Sequence, residues 1–234
     1  MPSVSAGDAA SSIREEHGLG FPVSQRDLVA VARRLGAAFA YRHNLGQFGK
    51  ARTDERGWIV EVDDSLSPRK QLFTTAHEIG HLLLRQAREP YVQSEEAWCN
   101  AFASNLIAPT HEVVRIVAGS RPSLHEVMNV SEATGLSIRA SYLCIDRSAH
   151  WQSALLVLRE WGDEWSVEWS MPETVVPVLG SRVITFASES ELRPFPTAAE
   201  LTVSREHSDL TLGGQAMAFG ERAFFLAREG IPVH

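Results

Sequence analysis

A chain of 234 residues, 44% hydrophobic and 22% charged, has an ordinary globular composition and enough length for one large domain or two to three small ones. Its net charge of −7 excludes a basic footprint: residues 1–110 carry 12 basic and 13 acidic side chains, residues 111–150 carry 4 and 4, and residues 151–234 carry 6 and 12, so no direct nucleic-acid partner is expected. The longest aliphatic run, near Ala154 to Leu158, is too short for a membrane span, no signal peptide is read, and Cys99 and Cys144 suggest no disulfide framework, so the expected compartment is the cytoplasm.

Ala9 to His17 and Ser24 to Leu35 read as helices. The second has Ser24 as N-cap, an apolar stripe of Leu28, Val31, Ala32 and Leu35, and Gly36 as its stop. Short strands are expected at Ala37 to Arg42, Gln47 to Arg52 and Trp58 to Val62, separated by turn residues around Asn44-Leu45-Gly46 and Asp54 to Gly57. His43, at a strand end, reads as an exposed histidine. Pro68 suits the start of a long helix from about Arg69 to Gln86.

That helix contains His77-Glu78-Ile79-Gly80-His81. Residues four apart share one helical face, so the two imidazoles can bind a single tetrahedral Zn²⁺ ion. Glu78, just off that face, can accept a proton from a zinc-activated water, whose pKa falls from 15.7 towards about 7. Gly80 costs about 1 kcal/mol against alanine within a helix, which implies a second backbone close beside His81.

After a polar loop, Arg88 to Gln93, Ser94 reads as the N-cap of a helix running to about Leu106 and ended by Pro109. A zinc site of this kind needs a third protein ligand and an open fourth position. Position 87 is Ala87 where a metzincin needs histidine, and Leu84 stands at its glycine, which excludes that class. The nearest downstream acids are Glu89, Glu95 and Glu96. The last two fall in the first turn of the new helix, beside a stripe of Trp98, Cys99, Phe102, Ala103 and Leu106, and periodicity does not choose between them.

The stretches Arg69…Phe73-Thr74-Thr75-Ala76-His77-Glu78-Ile79-Gly80-His81-Leu82-Leu83 and Glu96-Ala97-Trp98-Cys99-Asn100-Ala101-Phe102-Ala103…Pro109 resemble the paired motifs of the ImmA/IrrE family of zinc metallopeptidases, over roughly residues 10–110. The resemblance implies a zincin-like domain with a small three-stranded sheet and the His-Glu-x-x-His helix. It implies metal ligands His77, His81 and Glu96, with Glu95 as the fallback, and Glu78 as the catalytic base. Cys99, Trp98 and Ile107 depart from the family pattern without removing any of these, and Trp98 is expected to narrow the pocket. Tyr91 and His111 are candidate auxiliary groups for the oxyanion.

Three helices, His111 to Ala118, Ser123 to Thr134 and Ser137 to about Asp146, follow in an arrangement like a helix-turn-helix or a short bundle. His111 and His125 read as solvated or capping. Beyond His150 the pattern turns to alternation, with strands at Ser153 to Glu160, Glu164 to Ser170, Thr174 to Leu179, Arg182 to Ala187, Glu200 to Arg205 and Ala223 to Ala227. Trp165, Val167 and Trp169 are expected on one face. The fold class is thus α+β: a peptidase domain over 1–110, a helical segment over 111–150, and a β-rich module over 151–234 that serves as sensor or docking domain.

The resemblance implies a cytoplasmic zinc endopeptidase, with Mn²⁺ or another divalent ion as an alternative metal. Its expected substrate is a helix-turn-helix repressor of the XRE type, cut to relieve repression in a stress response or in mobile-element regulation. The alternative is a metal-binding regulator that does not cut and senses a ligand or partner through the β module.

Overall fold

The computed structural model describes residues 4–87, 94–161, 164–171, 183–186, 196–203, 210–219 and 221–227. Tyr91, Glu89 and the strand expected at 174–179 lie outside them. Seven helices and nine strands are found among the described residues, in two compact units. One comprises Met1–Ile116 and Val130–Cys144, and the other Val117–Asn129 and Ile145–His234.

In the first unit, α1 (Ala6–His17) and α2 (Gln25–Arg34) precede β1 (Ala37–Arg42), β2 (Gly49–Asp54) and β3 (Gly57–Asp63). Ser24 caps α2 through a reciprocal capping box with Asp27, and Leu28, Val31 and Ala32 form its buried stripe. The three strands make one sheet in the order β1-β3-β2, with β1 parallel and β2 antiparallel to β3, so β2 is an edge. On its outer face Glu61 is buried between Arg42 and Arg52, at 2.9 and 2.8 Å, which holds its carboxyl below the usual carboxylate range.

Helix α3 (Pro68–Ala87) packs against α2, β2 and β3, and against α4 (Glu95–Ile107). It buries Leu72, Ala76, Ile79, Leu82 and Leu84. Ser94 caps α4 by accepting from the Ala97 amide at 3.2 Å, and Cys99, Phe102, Ala103, Leu106 and Ile107 form its fully buried face. Trp98 stacks on Phe102 with ring centroids 5.4 Å apart, and its indole N–H donates to the carbonyl of Val4, just ahead of α1.

The close approach implied by Gly80 is present. A Cβ there would lie 3.2 Å from Cys99 Sγ and Phe102 Cδ1, and 3.3 Å from Cys99 Cα. Helices α5 (Thr110–Val117), α6 (Leu124–Thr134) and α7 (Ile138–Ala149) follow. The start of α3 is tied to the end of α6, because Arg69 Nη1 donates to Ser131 Oγ at 3.0 Å and Ser131 Oγ donates to the Leu136 carbonyl at 2.7 Å.

The second unit holds a six-stranded antiparallel sheet in the order β5-β4-β9-β8-β7-β6. Its strands are β4 (Ala154–Trp161), β5 (Glu164–Met171), β6 (Val183–Phe186), β7 (Thr197–Val203), β8 (Leu210–Phe219) and β9 (Arg222–Ala227). Leu156, Leu158, Trp165, Val167, Leu201 and Phe225 form its apolar core. A register shift opposite Val157 and Leu158 pairs Trp169 with Val157 and Val167 with Leu158. Trp169 therefore leaves the face it was expected to share, as a bulge requires. Strand β8 falls where the sequence suggests none, since Gly213-Gly214 interrupts its alternation.

Gly80→Ala gains helix propensity worth about 1 kcal/mol but presses a methyl to 3.2 Å from Cys99 Sγ and Phe102 Cδ1 and 3.3 Å from Cys99 Cα, an overpacking cost of about 1–3 kcal/mol. We expect net destabilisation of about 1 kcal/mol in a denaturant titration.

Candidate metal centre

Helix periodicity stacks His77, His81 and Arg85 on one face of α3, at intervals of four. Antiparallel to it, α4 presents Asn100 and Glu96, also four apart, and Glu95. The contacts descend α4 as they climb α3. His77 Nδ1 meets Asn100 Oδ1 at 3.0 Å, and His81 Nδ1 meets Glu95 Oε1 at 2.6 Å.

Those two contacts define the tautomers. Asn100 and Glu95 present oxygen acceptors, so each Nδ1 carries the proton and donates it, and each Nε2 is left as a lone-pair donor. The two Nε2 atoms face each other at 3.0 Å. Glu96 completes the group, with Oε2 3.3 Å from His77 Nε2 and Oε1 3.3 Å from His81 Nε2. Three groups that can each offer an electron pair converge on one point, an arrangement that a cation satisfies. Ligand atoms around tetrahedral zinc, bonded at about 2.0–2.1 Å, stand about 3.3–3.4 Å apart. The donor set therefore fits a divalent ion.

Glu78 also has an oxygen within 4.8 Å of both imidazole ligand atoms, so two carboxylates compete for the third position. Their environments differ. Glu96 is 72% exposed and reaches both nitrogens from the open side. Glu78 is buried, and burial pushes its carboxyl above the ordinary value of 4.5, although the nearby His81, the Ala51 amide that donates to it and Arg85 act against the rise. A buried carboxylate with raised proton affinity suits a base, and an exposed one aimed at both nitrogens suits a ligand. For His77, burial first and His81 second lower the pKa, keeping the imidazole neutral as ligation requires.

The group lies in a cleft of about 510 Å³ between α3, α4 and the outer edge of β2. Phe48, Gly49 and Ala51 line one wall, and Phe73, Thr74 and Asn100 belong to the other side. Gly49 permits the fit: a Cβ there would lie 2.5 Å from Thr74 Cγ2 and 2.9 Å from Glu78 Oε1.

His111, on α5, is 75% exposed; the contact described for it is Glu112, 3.9 Å away, and it does not line the cleft. His43 pairs with Asp64 at 2.9 Å on the surface. Trp98 does not line the cleft either. Asn100 and Arg85 were not singled out from sequence. The signal was available, because Asn100 follows Glu96 by four residues and Arg85 follows His81 by four.

A carboxyl whose folded pKa is raised binds more protons folded than unfolded, so it costs stability once pH exceeds the unfolded value. We expect metal-free Glu78→Gln to melt above metal-free wild type at pH 7, with the difference vanishing as pH falls towards 4.5. Equal melting curves at both pH values would show that Glu78 carries no such burial cost.

With the geometry in place, comparison with known proteins bears on its origin. A family model described as Peptidase_M78, IrrE N-terminal-like domain, matches residues 39–142. No curated protein matches the chain. A solved structure described as a Mycobacterium tuberculosis transcriptional regulator aligns with a TM-score of 0.58 and 13% identity, covering 95% of this chain and 75% of that one, a likeness of fold alone. The matched segment carries His77, Glu78, His81 and Glu96 together, and over residues 39–142 the chain is similar to the IrrE N-terminal-like Peptidase_M78 family.

Proposed function

We propose that this chain is a zinc-dependent endopeptidase of the zincin-like type, in which His77 Nε2, His81 Nε2 and Glu96 hold the metal and Glu78 is the general base. The observation that carries the reading is the meeting of those three groups at 3.0–3.3 Å beside a buried Glu78, in an open cleft. The match of residues 39–142 to a peptidase family model supports it. When bound, the ion supplies a Lewis acid that polarises the scissile carbonyl and acidifies the attacking water. Glu78 takes that water's proton on its carboxylate and passes it to the departing amine nitrogen. Its raised pKa serves both steps, since it must gain the proton and then release it.

The cleft suits a polypeptide. Phe48, 63% exposed at the rim, and Phe73, whose ring centroid lies 6.4 Å from that of His77, offer an apolar wall to a substrate side chain. The proposed substrate is a helix-turn-helix repressor of the XRE type, cleaved in the cytoplasm to relieve repression in a stress response or in mobile-element control. The proposal divides the chain into the peptidase region 1–110, the helical segment 111–150, and the β module 151–234 as sensor or docking domain.

The test incubates the full zinc-loaded chain, and its Glu78→Gln variant, with the repressor encoded beside the gene. Mass spectrometry should find one defined cut by wild type, reduced at least about 100-fold in the variant, the lower range for loss of a general base. Undiminished cleavage by the variant would refute the mechanism, and no cleavage by either protein would favour a non-proteolytic metal-binding regulator. Phe48→Ala should raise KM several-fold with kcat nearly unchanged; an unchanged KM would remove Phe48 from the substrate wall.

A further inference from the structure

Arg85 has no part in the proposed chemistry, yet it reaches two groups that border it. It stands one turn beyond His81 on the face of α3 that carries both imidazoles. Its Nη1 donates to the Ala51 carbonyl of β2. Its Nε lies 3.7 Å from Glu95 Oε1, the oxygen that accepts from His81 Nδ1 at 2.6 Å. The Ala51 amide in turn donates to Glu78. Both main-chain groups of Ala51 are therefore taken by α3 side chains, and the contacts close a circuit: Glu78, Ala51, Arg85, Glu95, His81 and back along the helix.

Stability does not account for this arrangement. Glu95 and Arg85 are 48% and 43% exposed, and ion pairs so open to water contribute little. Orientation does account for it. Glu95 hangs from the first turn of α4, and one hydrogen bond leaves its carboxylate free to rotate about its own side chain. The Arg85 guanidinium is anchored by its hydrogen bond to the Ala51 carbonyl, and from there it sets a fixed positive charge 3.7 Å from the Glu95 carboxylate, which a lysine ammonium on a flexible stem does poorly.

We propose that Arg85 is a positioning residue, holding the Glu95 carboxylate against His81 Nδ1 and the Ala51 peptide against Glu78, so that imidazole and base keep one fixed relation. The role rests on the metal-site reading above. Arg85 acts through Glu95 and Ala51 from its place on the cleft wall.

The test is a zinc titration against a competing chelator, with thermal unfolding of each metal-free protein alongside. The full chain is compared with Arg85→Ala, Arg85→Lys, Glu95→Gln and the Arg85→Ala/Glu95→Gln double variant. Arg85→Ala should unfold close to wild type yet bind zinc about tenfold more weakly, the lower end of the 10–100-fold range for losing a partner of a ligating histidine. The double variant should bind no more than about twofold more weakly than Glu95→Gln alone, because both changes act through one imidazole. Arg85→Lys should fall between wild type and Arg85→Ala.

Wild-type affinity in Arg85→Ala, or losses that multiply in the double variant, would overturn the role. If Arg85→Ala fails to fold, Arg85→Lys decides, and wild-type affinity there overturns it equally. A wild-type chain that binds no zinc overturns the metal-site reading and this role with it, whereas tight zinc binding matched by Arg85→Ala overturns this role alone.

Discussion

Two imidazole nitrogens 3.0 Å apart, each 3.3 Å from a carboxylate oxygen of Glu96, make an arrangement that a cation between them satisfies. Each ring is turned that way by its far nitrogen, His77 by Asn100 and His81 by Glu95. Much of the first unit serves to hold these rings. α3 sets their spacing, and α4 lies close enough to supply both partners because Gly80 lets Cys99 and Phe102 approach. The sheet brings the β2 edge against Glu78, where Gly49 leaves room for the carboxylate.

The same packing separates the two acids. Glu78 points into the seam between α3 and β2, loses water and gains proton affinity. Glu96, in the first turn of α4, is 72% exposed and stands 3.3 Å from His77 Nε2. Two carboxylates of one chemistry thus stand in different surroundings, one buried and one open to water, the kind of contrast that sorts acids from bases within a site. Cys99 is kept out of the chemistry by the same burial, which pushes its thiol up to about 12.

How much of this the sequence discloses depends on what each element needs. Helix α2 was legible because its cap, stripe and stop are all local. The His77–His81 pair was legible because its spacing is the helical repeat. The separate positions of Glu95 and Glu96 were not, because neighbouring residues on a helix differ by about 100° and only the partner helix decides which faces it. The structure places Glu95 on the Nδ1 side of His81 and Glu96 on the Nε2 side. Strand β8 escaped because Gly213-Gly214 breaks alternation, and Trp169 changes face through a bulge that a period of two does not reveal. In both cases neighbouring strands, more than local preference, decide the outcome.

The central claim is that one ion is shared by His77 Nε2, His81 Nε2 and Glu96. Crystals of the zinc-loaded protein, measured at the zinc edge for anomalous scattering, test it most directly. The account requires a single zinc peak bonded to those three groups at about 2.0–2.2 Å, with Glu78 outside bonding distance and the Asn100 and Glu95 contacts intact. Zinc bonded to Glu78 in place of Glu96, zinc held through either Nδ1, or no zinc between the two histidines would contradict it.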